Sequence, residues 1–196
     1  MSDLHNKPPF KLLWASLLIL VLAAIAAAFL AILVHKATLG RPGETGARIH
    51  PIVLAGFFIA LVIALAAYVT YIVLIFRMWK VVQDGHASLS PGAATALAAI
   101  PVVAFIGVFF AVFGLSRELN RVARERALSA KATEGLALAA CICWVGGTLI
   151  GWIPILGCAG SLIGLIGNIL LFTALFQMAS AATAIVEAGE AIDPTA

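Results

Sequence analysis

Four long apolar runs, divided by three polar connections, set the pattern of this chain. Leu12–Val34 carries no charge over about 23 residues, enough for one membrane-spanning helix at about 1.5 Å per residue. Ala26-Ala27-Ala28 resembles a signal-peptide cleavage site, but the run continues to Val34, past the usual length of a signal core, so an uncleaved span is expected. A second helix is predicted over 51–83. Pro51 suits its first turn, where a missing N–H costs no partner. The third is predicted over 91–115, with Ser90 as N-cap and Pro91 behind it. Pro101 is expected to kink it. The polar segment Ser116–Glu134 is predicted to extend that helix along the membrane surface. Arg117, Arg121 and Arg124 recur at i, i+4, i+7, while Leu119, Val122 and Ala123 turn to another face. Gly135–Ile185 then runs without charge for about 50 residues, or about 75 Å as one helix, against a bilayer core of about 30 Å. It must fold back. Pro154 and Gly157 mark the turn, giving helices over 136–153 and 157–183. Residues 187–196 are predicted to be an acidic, frayed tail.

The fold class that follows is all-α: a polytopic integral membrane helical bundle of about five transmembrane helices in one domain, 1–186. Four spans is the alternative, with 136–156 re-entrant. Composition agrees: 63% of residues are hydrophobic and 11% charged, where soluble domains carry about 25% charged residues. The net charge of +3 shows no basic stripe interleaved with aromatics, so nucleic acid is not expected as a partner. Read with five crossings, the head and second connection hold four Lys and Arg (Lys7, Lys11, Arg77, Lys80). The first and third connections hold eight (Lys36, Arg41, Arg48, Arg117, Arg121, Arg124, Arg126, Lys131). The positive-inside rule then makes the first and third connections cytoplasmic, in a cell inner (plasma) membrane.

The spans hold no Asp, Glu, Lys or Arg, which argues against an ion-coupled transporter. Asn168 follows Gly160 and Gly164 on one helical face. With Gly147 and Gly151 these form small-xxx-small pairs, and the expected result is a tight helical hairpin with Asn168 as packing glue. Cys141, Cys143 and Cys158 lie in apolar stretches and are read as packing residues. His35 and His50 sit at a membrane rim beside charged residues and His5 and His86 elsewhere, so no metal or cofactor is expected. No nucleophile elbow, phosphate loop or paired carboxylates appear.

The stretch from Arg77 to Gly92 reads as a built boundary. Arg77, Trp79 and Lys80 form an interfacial anchor, Gly85 stops one helix and Ser90-Pro91 starts the next. Arg77, Trp79, Asp84 and His86 are the candidate interfacial surface. Arg117, Arg121 and Arg124 are the candidate docking surface for anionic lipid headgroups or a partner. Arg77-x-Trp79, Gln83-Asp84-Gly85-His86-Ala87, Ser90-Pro91-Gly92, Ile100-Pro101 and Arg117-Glu118-x-Asn120 together resemble a group of uncharacterised bacterial multi-pass membrane proteins that carry a domain of unknown function. The resemblance covers roughly 72–120 and implies a membrane bundle of about five helices without a known activity. Where those proteins carry an Asn soon after the Ile-Pro, this chain has Val102, Val103, Ala104 and Phe105.

The expected function is a non-enzymatic scaffold or accessory subunit of a membrane assembly, with a membrane-protein partner or a second copy as company. A small permease or channel for a neutral or apolar solute is the alternative. An enzyme acting on lipid headgroups through Arg77–His86 is a third reading.

Overall fold

The computed structural model describes residues 10–39, 51–85 and 87–192. Among these residues the chain is helical, with no strand. In order come α1 (Phe10–Leu39), α2 (Pro51–Val81), α3 (Pro91–Ala99), α4 (Pro101–Val108), a π turn (Phe109–Phe113), α5 (Gly114–Glu125), α6 (Glu134–Gly151) and α7 (Gly157–Ile192). Five helices are long and apolar enough to cross a membrane: Phe10–Val34, Val53–Val81, Val103–Glu125, Glu134–Gly151 and Gly157–Gly189. The chain is an all-α, multi-pass membrane protein.

It divides into two compact units. One is Ala15–Tyr71, the other Met1–Trp14 with Ile72–Ala196. In the smaller unit α1 and α2 approach closely at Gly56, where an added Cβ would stand 3.0 Å from the Ala31 Cβ. The larger unit holds the buried side chains of Leu74, Met78, Trp79, Leu115, Leu119, Leu175 and Met178. Trp14 joins that unit: its indole N–H donates to the Phe172 carbonyl at 3.0 Å, and its ring lies 4.9 Å from that of Phe176.

The local signals at the second connection hold in part. Gly85 has φ +90°, but α2 already ends at Val81, so Gly85 turns the connection beyond the helix rather than capping it. Ser90 Oγ accepts the Ala93 N–H at 3.2 Å, with Pro91 in the first turn of α3. Pro101 does more than kink a helix. Ile100 is extended (φ −84°, ψ 114°), as a residue before proline prefers, and both ends α3 and caps α4. The chain then folds back, so that a Cβ on Gly107 would run into the Leu97 carbonyl. Residues ten apart on one straight helix would be about 15 Å apart. The long third helix is therefore a hairpin, α3 against α4 and the π turn.

The π turn follows at once. The Gly114 N–H reaches back five residues to the Phe109 carbonyl. Side chains meet the carbonyls of this wide stretch. The Trp79 indole N–H donates to Ala111 O at 3.0 Å, Ser116 Oγ–H to Phe113 O at 2.7 Å, and Cys141 Sγ–H to Val108 O at 3.6 Å. Inserted side-chain donors are a known cause of such local widening.

Several predicted boundaries move, two of them with consequences for the polar end. The helix expected to run on to 134 stops at Glu125, because the chain turns left-handed at Ala127 (φ 54°). There the Ala127 and Leu128 N–H groups bond to the Arg124 and Ala123 carbonyls. One face of α5, with Leu115, Ser116, Leu119, Val122 and Ala123, is buried within the protein. The tail expected to fray from Glu187 is helical to Ile192. Arg126 helps to fix it there, donating from Nη1 to the Ile185 carbonyl at 3.0 Å.

Candidate functional site

One end of the larger unit gathers most of its polar chemistry. Arg121, on the exposed face of α5, is its hub. Its guanidinium binds Asp84 through two parallel bonds, Nη1 to Oδ2 at 2.7 Å and Nη2 to Oδ1 at 2.9 Å. Nε donates to Glu118 Oε2 at 2.8 Å and Nη1 to Glu125 Oε1 at 3.0 Å. A planar fork suits such bidentate pairing. Glu118 Oε1 also accepts the Ser88 N–H at 3.3 Å, and Gln83 Nε2 donates to the Leu89 carbonyl at 2.9 Å. The Gly85 turn is thus tied to α5 at two points.

The third connection is tied to the same helix. Asn120 pairs with the Ala132 backbone as a neighbouring strand would: Nδ2 donates to Ala132 O at 2.7 Å, and Oδ1 accepts the Ala132 N–H at 2.8 Å. The same Nδ2 reaches Glu134 Oε1 at 2.9 Å. Gln177 Oε1 on α7 accepts the Thr133 N–H at 3.0 Å. An open recess of about 430 Å³ lies here, lined by Ser88, Gly114, Arg117, Glu118, Arg121, Arg124 and Glu134.

This geometry changes the sequence reading in three places. The second and third connections, expected at opposite ends of a kinked span, meet through Asp84 and Arg121, because the α3–α4 hairpin returns the chain to where it entered. Trp79 is no interfacial anchor. It is fully buried, since its indole N–H is engaged by Ala111 O and its ring packs beside Gly114. Arg121 is no free cation for docking, since three carboxylates hold it. Arg117 and Arg124 have no carboxylate partner among the described residues. Arg77 is half-buried and lies outside the recess, and His86 lies outside the described residues.

The α6–α7 seam is the second candidate feature. A Cβ on Gly147 would run into the backbone of Gly164, and one on Gly160 into that of Gly151. All four predicted glycines therefore meet. Asn168 does not join them. It is exposed, and its Nδ2 donates to the Gly164 carbonyl of its own helix at 2.8 Å. The position one residue earlier, Gly167, takes the seam place, where a Cβ would stand 2.8 Å from the Cys143 carbonyl carbon. Gly160, Gly164 and Gly167 follow i, i+4, i+7, so the spacing carried the signal.

Sequence reading also passed over Glu118, Glu125 and Asn120 as site residues. Glu118 and Glu125 flank Arg121 at i−3 and i+4, the spacing of helical ion pairs, and that much was visible in the chain. Among the described residues no cluster of three His, Cys, Asp or Glu side chains is arranged to hold a metal ion. Compared with protein-family models, curated proteins and solved structures, the chain matches none.

The ion-pair hub is expected to hold the second connection in place. Arg121→Gln should lower stability by about 1–2 kcal/mol, a figure discounted for the 24% exposure of the Arg121 side chain. Proteolysis within residues 82–90 should quicken with it. Unfolding in detergent and timed limited digestion check both, with Lys80→Gln as the comparison that should change neither.

Proposed function

We propose that the chain is a non-enzymatic integral membrane protein, a scaffold or accessory subunit of a larger membrane assembly. The supporting observation is where the spans direct their polar groups. Thr148, Ser161, Asn168, Thr173 and Thr183 each bond to the carbonyl four residues earlier on their own helix. The α6 and α7 backbones meet with no side chains between them at the glycines. Such a pair presents a passing solute with neither a lined path nor an unpaired partner. Its outer face, with Ile142, Leu149, Leu162, Ile166 and Ile169 exposed, suits lipid or a neighbouring span. In reconstituted vesicles the chain is expected to pass neutral solutes no faster than protein-free controls. Native mass spectrometry of gently solubilised membranes is expected to find it in a stoichiometric complex. A monodisperse monomer that conducts a neutral solute would instead support the permease reading.

The reading includes a sidedness. The α3 helix has 9 residues, about 14 Å. Val103–Glu125 is long enough to cross, but it is free of charge only as far as Ser116. The apolar stretch from Pro101 to Leu115 rises about 22 Å, and it and α3 are each short of a bilayer core of about 30 Å. We read α3–α5 as a re-entrant hairpin that enters and leaves on one side. Four helices, α1, α2, α6 and α7, then cross fully. The Lys and Arg count changes with it. Lys7, Lys11, Arg77, Lys80, Arg117, Arg121, Arg124, Arg126 and Lys131 fall on one side, and Lys36, Arg41 and Arg48 on the other. Nine against three is a stronger bias than eight against four, and it favours the opposite sense. The termini and the second and third connections face the cytoplasm, and the first connection faces outward. A bacterial inner membrane is the location that the family resemblance implies. Reporter fusions at the two termini test the direction: cytoplasmic signal at both is expected, and an external signal at either contradicts it.

A further inference from the structure

We propose that the recess beside α5 is a binding site for an anionic lipid headgroup, held by Arg117 and Arg124. Three observations carry it. The first is depth. Gly114 lines the recess where the apolar run ending at Phe113 gives way to the polar face of α5. In a membrane that is the level of lipid phosphates. The second is charge. The acidic side chains lining the recess are already engaged: Glu118 by Arg121 and the Ser88 N–H, and Glu134 by Asn120. Arg121 is likewise held by carboxylates. Arg117 and Arg124 line the same recess and have no carboxylate partner among the described residues. They are the cations left to meet an incoming anion.

The third is pose. The Arg117 guanidinium carbon lies 5.9 Å from the centre of the Phe113 ring. A cation over an aromatic face is attracted to it, which directs Arg117 towards the hydrocarbon boundary and away from the Asp84–Glu118 cluster. Arg117 and Arg124 stand two turns apart, about 10.5 Å along the axis. Both line the same recess, so a headgroup seated in it has a cation towards each end. Guanidinium forks recognise phosphate oxygens through paired N–H donors. The site therefore takes a phosphodiester with net negative charge, such as phosphatidylglycerol, in preference to zwitterionic phosphatidylcholine. Its placement in the cytoplasmic leaflet, where anionic lipids attract basic segments, rests on the sidedness proposed above. The site itself does not.

The test uses the whole chain in nanodiscs of mixed phosphatidylcholine and phosphatidylglycerol, released for native mass spectrometry. The parent chain is expected to retain phosphatidylglycerol over phosphatidylcholine. Arg117→Gln with Arg124→Gln should weaken that retention roughly thirtyfold, at about 1 kcal/mol for each cation. Arg117→Lys with Arg124→Lys, which keeps the charge but not the paired donors, should retain more than the Gln pair and less than the parent. Lys131→Gln, an exposed cation outside the recess, should leave it unchanged. Retention unaffected by the Gln pair overturns the proposal, and so does an equal loss in Lys131→Gln, which would mean diffuse attraction. Displacement of the lipid by millimolar inorganic phosphate would make this a site for free phosphate, overturning the lipid assignment. If terminal reporters lie outside while retention still depends on the arginines, the sidedness falls and the site stands. The converse result removes the site alone.

Discussion

Gly160→Ala is expected to destabilise the chain by roughly 3 kcal/mol, the upper range for forcing a methyl group into a packed interface. The added carbon would collide with the Gly151 backbone and stand 2.8 Å from the Gly147 carbonyl oxygen. Backbone cannot rotate away as a side chain can, so α6 and α7 must separate. In lipid that separation is costly, because close backbone packing holds helices together where tails and side chains are equally apolar. Gly147→Ala and Gly167→Ala should behave alike, since their added carbons also meet backbone. Gly146, Gly151 and Gly164 have no atom within 4 Å of an added Cβ, and their Ala variants should be close to neutral. Gly146 and Gly147 make the sharpest pair: adjacent in sequence, opposite in outcome. Reversible unfolding in mixed detergent micelles measures each. Equal costs at Gly151 and Gly160 would mean that the small-xxx-small spacing alone governs the seam.

Trp79→Phe is expected to cost about 1–3 kcal/mol, the range for leaving a buried polar group without its partner. Trp79→Ala should cost about 3–5 kcal/mol, by adding a cavity. Trp79 is fully buried, and its indole N–H is the donor to Ala111 O in the π turn. Phenylalanine fills most of the space but cannot donate. A tryptophan at the lipid headgroups would behave otherwise, since phenylalanine there keeps the apolar contact and the carbonyl has water. The same unfolding assay separates the two environments. A neutral Trp79→Phe would contradict the buried one.

The helices and their caps were legible because they rest on local signals. Charge-free runs and Ser90-Pro91 act through a few neighbouring residues and appear where the pattern places them, whereas the helix before Gly85 already stops at Val81. Pro101 shows where local reading ends. A proline marks a break, but whether the chain bends or reverses depends on contacts with distant residues. Here the decisive ones are Gly107 against Leu97 and Arg121 with Asp84, the latter 37 residues apart. Sidedness depends on the same contacts, since a count of charges by connection changes with the number of crossings assumed. Trp79 was misread because an interfacial tryptophan and a buried one with a carbonyl partner look alike in sequence. Asn168 was displaced by one position: 160, 164 and 167 share the seam, and 168 turns out of it. Among the basic residues of α5, the spacing of Glu118 and Glu125 around Arg121 already separated the engaged arginine from Arg117 and Arg124.

The most direct test asks whether the second and third connections share a side. Ser88→Cys and Ser129→Cys introduce thiols at exposed positions in the two connections. Intact cells and inverted membrane vesicles are treated with a membrane-impermeant maleimide, the parent chain giving the baseline for Cys141, Cys143 and Cys158. With the chain turned back at Ile100-Pro101, both positions should label in inverted vesicles and neither in intact cells. Labelling of one position from each side would mean that the third apolar run crosses the bilayer, and would contradict the hairpin.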